Sequence, residues 1–131
     1  MSITEGIRLL LETYPGLSGA PAVRTDLTGA AAPSGALSKT KETRKQDVTG
    51  RLYGTTELSY RLLTAAGSEA ERRLVGNEME RLSGWLESCA PASAENRLIL
   101  SLRCGACTLL EAYDNGTAVY QLPITAEWME Q

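Results

Sequence analysis

The chain has 131 residues, 43% hydrophobic and 22% charged, and its 13 basic and 16 acidic residues leave a formal net charge of −3. That describes one globular domain, residues 1–131, and excludes a disordered chain, a fibre and any attraction of the molecule as a whole for nucleic acid or an anionic membrane. Histidine is absent, which removes Ser-His-Asp and Cys-His nucleophiles, His-ligated zinc and the ordinary neutral-pH general base.

Ser2 to Thr13 begins with a capping box, Ser2 followed by Glu5, and carries Ile3, Ile7, Leu10, Leu11 and Tyr14 on one face, so it predicts a helix ended by Pro15-Gly16. No apolar run reaches about 18 residues, and the N-terminal stretch has Glu5 and no basic region, so neither a membrane span nor a secretory signal is expected. The expected compartment is the cytoplasm. Ala22 to Leu27 reads as a short strand. Thr28 to Ser38, rich in Gly, Ala, Ser and Pro, has no period and predicts a loop. That loop runs into the one basic cluster, Lys39 to Lys45, so a long loop near 28–45 is expected. Lys39, Lys41, Arg44 and Lys45 read either as a solvated segment or as a contact surface for phosphates or an acidic protein.

From Val48 the pattern alternates, with Val48, Leu52, Thr56, Leu58, Tyr60 and Leu62 on one side, and Gly54 is expected to break the run into two strands. Ser68 to Ser88 is the strongest helix in the chain. Ser68 and Glu71 form a second capping box, Val75, Met79, Leu82 and Leu86 fall at helical spacing with Trp85 widening the stripe, and Pro91 closes the far end. All five are expected in the core. Leu98, Leu100 and Leu102 alternate in a strand, and Leu109-Leu110 opens another. Asp114-Asn115-Gly116 predicts a type I′ hairpin. The last strand places Ala118, Tyr120, Leu122, Ile124, Ala126 and Trp128 on one face, and Pro123 suggests an edge strand or a bulge. The order predicts an α+β fold, a mainly antiparallel sheet with an N-terminal helix and one long helix packed on one face.

Cys104-Gly105-Ala106-Cys107 is formally a C-x-x-C, but it interrupts two strands rather than opening a helix, and three cysteines without histidine supply no ready zinc site. It reads as a strand bend or tight hairpin, with an adventitious disulfide or a redox pair as alternatives. No catalytic set, cofactor loop or metal site is apparent, so an enzyme is not expected.

Several segments together resemble a family of small phage tail-assembly proteins, labelled minor capsid proteins and thought to be tail terminators. They are the opening Met1 to Arg8, Val23-Arg24-Thr25-Asp26-Leu27, Gly54-Thr55-Thr56 with Tyr60 and Leu62, Met79, Leu82 and Trp85-Leu86-Glu87, and Ala118-Val119-Tyr120-Gln121-Leu122. Ala36 to Lys45 and the Cys104 to Cys107 segment have no counterpart there, and Val119 stands where a basic residue is usual. The resemblance implies a homohexameric ring in the virion tail, assembled in host cytoplasm. Its partners would be further copies of itself, the tail tube protein and the head-tail connector protein, with no cofactor, no membrane and no direct nucleic-acid readout. Lys39, Lys41, Arg44, Lys45 and Pro123 are the expected subunit or tube contacts. A head-completion or neck protein is the neighbouring alternative, and a small ligand-binding domain is the other.

Overall fold

The computed structural model describes residues 2–14, 23–26, 33–89, 92–94 and 97–130. The expected stops at Pro15-Gly16 and Pro91, and the stretch 27–32, lie outside the described residues. The fold is α+β, with one mostly antiparallel sheet and two helices among the described residues. In chain order the elements are α1 (Ile3–Glu12), β1 (Val23–Thr25), β2 (Ser34–Gln46), β3 (Leu52–Ala65), α2 (Glu69–Ser88), β4 (Ala92–Ala94), β5 (Arg97–Cys104), β6 (Thr108–Ala112) and β7 (Thr117–Glu130). The strands lie in the order β1-β2-β3-β7-β5-β4, with β6 also paired to β7. Only the short β1 runs parallel to its neighbour.

Both helices start as their capping residues dictate. The Ser2 hydroxyl accepts from the Glu5 N–H, and at α2 Ser68 and Glu71 satisfy each other's backbone in a complete capping box. Ile3, Ile7 and Leu11 of α1 and Val75, Met79, Leu82 and Leu86 of α2 are buried in one cluster with Leu58, Tyr60 and Leu62 of β3 and the even-numbered residues from Ala118 to Trp128 of β7. In the register, Leu58, Tyr60 and Leu62 stand opposite Ile124, Leu122 and Tyr120, so the period-2 pattern of two strands makes one apolar face. The second face is wet only in part, since Ser34, Ala36, Ser59 and Leu63 are buried too.

Several expectations need correction. Trp85 is not in the core: it is half-buried at the edge of the α2 stripe, its ring tilted 51° against Tyr14 with centroids 5.1 Å apart. Trp85→Ala is accordingly expected to cost only about 1 to 2 kcal/mol by urea denaturation, mostly the aromatic pair and a partial cavity. The segment Ser34–Gln46, expected as loop, is a strand, because its long antiparallel pairing with β3 supplies the hydrogen bonds that its weak local pattern does not announce. Gly54 does not interrupt β3, which runs unbroken from Leu52 to Ala65. In β5, a bulge between Ile99 and Ser101 shifts the parity, so Ile99 and Leu102 point inward and Leu100 is exposed.

The β2–β3 and β6–β7 hairpin turns share one build. In each, the flanking residues close a three-residue loop: Asp47 N–H to Arg51 O at 3.0 Å and Tyr113 N–H to Thr117 O at 2.8 Å. The third loop residue is a left-handed glycine, Gly50 at φ +87° and Gly116 at φ +85°. These are type I turns followed by a glycine bulge rather than the type I′ turn expected at Asn115-Gly116, since Asn115 does not take a positive φ. Asp47 and Asn115 each fasten the turn by accepting backbone N–H bonds, from Thr49 and Arg51 and from Thr117 respectively.

Candidate functional site: sheet edges and a cationic corner

Pro123 is not on an edge. β7 is interior, paired with β3 along its length on one side and with β5 and then β6 on the other. Pro123 falls where β5 gives way to β6, and its carbonyl accepts from the Gly105 N–H at 2.9 Å. A residue's N–H and C=O point to the same side of a strand, so the donor that proline lacks would have faced this same break. The Cys104–Cys107 segment is the bend that crosses it, as its sequence predicts. Both cysteines are free, and burial pushes each thiol's pKa up, which keeps them in the less reactive protonated form near neutrality. Beside the bend, a hollow of about 320 Å³ opens between α2 and the sheet, lined by Gly76, Met79, Ser83, Cys107, Tyr120 and Leu122 among others.

β6 pairs with β7 alone among the described residues, so its other edge presents unpaired backbone groups. All its residues are exposed, including Leu109 at 50% and Leu110 at 51%, and Tyr113 is exposed just beyond it. The edge is short, five residues, and Glu111 and a bulge between Leu109 and Glu111 blunt it in part, but its two adjacent leucines stay exposed. The sequence marked the Leu109-Leu110 strand but gave no signal that its edge stays open, because that depends on which strands pair.

Another open edge among the described residues belongs to β2, beyond the three residues that β1 covers. It carries the whole basic cluster, yet the cluster is not one surface. A bulge at Thr40 sets Lys39 opposite Leu58 and Arg44 opposite Gly54, on the face shared with α1, while Lys41 and Lys45 stand opposite Glu57 and Tyr53 on the other face. No single flat partner touches all four.

On the α1 face, Glu42 organises the corner. Its carboxylate accepts from Arg44 through Nε at 2.8 Å and a second guanidinium nitrogen at 2.7 Å, from the Thr56 hydroxyl at 3.2 Å and from Arg97 at 3.4 Å. Thr56 in turn accepts from the Trp128 indole N–H at 3.0 Å, and the Arg97 guanidinium lies over the Trp128 ring, 4.2 Å from its centroid. Burial pushes the Glu42 pKa up, but the Arg44 hydrogen bond, the Lys39 charge and the Thr56 hydroxyl outweigh it and hold the carboxyl below its usual value. Sequence reading missed Glu42, Arg97 and Thr56, which lie on three different strands. Among the described residues no cluster of metal-ligating side chains occurs, and no helix is long and apolar enough to cross a membrane. In comparisons with known proteins, no family model matches the sequence and no curated protein matches it significantly.

Proposed function

We propose that the chain is a structural subunit of a phage tail, a terminator that closes into a ring on the end of the tail tube and offers its other side to the head connector. The family reading rests on the resembling segments, which fall on α1, β1, β3, the end of α2 and the start of β7. The Gly54-Thr55-Thr56 segment, which resembles a Gly-Ser/Thr turn of that family, lies inside a strand here. The observation that carries self-assembly is the β6 edge, where unpaired backbone and exposed Leu109, Leu110 and Tyr113 offer a template for another copy to bury. A ring of six is what the resemblance implies.

The test is mass photometry at micromolar concentration, with and without tail tubes, on the wild type and on Leu109→Lys with Leu110→Lys. The wild type is expected at a multiple of the subunit mass. The double lysine variant is expected to stay monomeric with its melting temperature nearly unchanged, since both side chains are already half in solvent. A wild type that is monomeric under every condition, tubes included, overturns the proposal. A ring found on a particle's neck rather than its tail end would move the chain to the head-completion class.

A further inference from the structure

The corner built around Glu42 holds more positive charge than it can neutralise. A hollow of about 220 Å³ is lined by Ser2, Ile3, Thr4, Lys39, Glu42, Arg44 and Arg97, which sets cations from two strands around a single carboxylate. That carboxylate is already committed. One oxygen takes the Arg44 fork, and the other takes Thr56 and a long contact from Arg97.

Arg97 is the under-satisfied member. Its side chain is 21% exposed, and among the described residues its polar contact is the 3.4 Å approach to Glu42. A guanidinium has five N–H donors in a planar fork, shaped for two parallel bonds to a carboxylate or phosphate. The contact over the Trp128 ring anchors the guanidinium without committing those donors to a polar atom. Lys39, across the hollow, makes no ion pair among the described residues. The start of α1 adds the positive end of its dipole to the same wall.

We infer that this corner is a binding site for a small oxyanion, a phosphate or a carboxylate, received by Arg97 and Lys39 with Arg44 held back on Glu42. The inference is independent of the tail-terminator reading, because it needs only the folded monomer. It also supplies its own reporter. The Trp128 indole N–H is one hydroxyl away from Glu42, and its ring lies under Arg97, so an anion that draws Arg97 forward changes the magnetic environment of that N–H. Trp85 packs on Tyr14 instead and serves as the internal reference.

The experiment is a titration of ¹⁵N-labelled protein with inorganic phosphate and, separately, with acetate, each against sodium chloride at matched ionic strength, following the two indole cross-peaks, assigned with Trp85→Phe. The Trp128 peak is expected to move saturably while the Trp85 peak stays still. Saturation by phosphate alone assigns the phosphate class, and saturation by acetate assigns a carboxylate. Lys39→Gln is expected to weaken binding about tenfold, the size of one lost charge-assisted contact at a partly exposed site. Lys41→Gln, on the other face of β2, should leave it unchanged. A shift that matches chloride at equal ionic strength overturns the inference. So does equal weakening by Lys39→Gln and Lys41→Gln, because only diffuse attraction treats the two faces alike.

Discussion

Trp128→Ala is expected to cost about 3 to 5 kcal/mol, a large part of the stability of a domain this size. The side chain is 1% exposed, and its removal does three things at once. It opens a cavity in the core face between β3 and β5, which the surrounding strands can close only by bending. It takes the indole donor from the Thr56 hydroxyl, itself fully buried, leaving that oxygen without the proton it accepts. It also removes the surface on which Arg97 lies. The melting temperature should fall by about 10 °C or more. Trp128→Phe keeps most of the volume and loses only the indole N–H, so it should cost about 1 to 2 kcal/mol. Urea denaturation followed by circular dichroism measures both. A loss below about 1 kcal/mol for the alanine variant would show that the indole is not a principal core element.

The contrast between the two tryptophans shows what the sequence carries and what it does not. Helical spacing put Trp85 next to a buried stripe, and strand alternation put Trp128 on an apolar face, so both faces were legible. How far each is buried depends on what lies opposite. Trp85 packs on Tyr14 at the margin of the core cluster, whereas Trp128 sits between Gly54 and Ile99 in the middle of the sheet. The same limit explains β2. Its Gly/Ala/Ser start and basic end have no period, and it becomes a strand because β3 offers it a partner. Pro123 misleads for the complementary reason: a proline marks a missing donor, but whether that donor faces solvent or a break between two strands is a matter of topology. The cationic corner was hidden more thoroughly. Arg44 was visible only as a member of a charge run, and Glu42, Thr56, Arg97 and Trp128 come together from β2, β3, β5 and β7.

Gly54 is the residue on which that corner's geometry depends, and Gly54→Ala is expected to be destabilising by about 3 kcal/mol or more, at or above the upper end for overpacking. Gly54 pairs with Arg44 on one side and Trp128 on the other. A Cβ built there would lie 2.0 Å from the Thr43 carbonyl oxygen and 3.1 Å from the Trp128 ring. The first contact is with backbone, so no side-chain rotation relieves it, and β2 would have to move away from β3 where Arg44 grips Glu42. The second would push the indole off the site it fills. Loss of stability should therefore come with a shift of the Trp128 indole resonance. Gly76→Ala is the matched control: it lies within α2, an added Cβ there meets nothing within 4 Å, and alanine should raise stability by about 0.5 to 1 kcal/mol through helix propensity. The same methyl group is thus expected to act with opposite signs at the two positions. If Gly54→Ala instead unfolds at the wild-type urea midpoint with an unmoved Trp128 resonance, β2 and β3 do not approach each other as described, and the corner built from them falls with it.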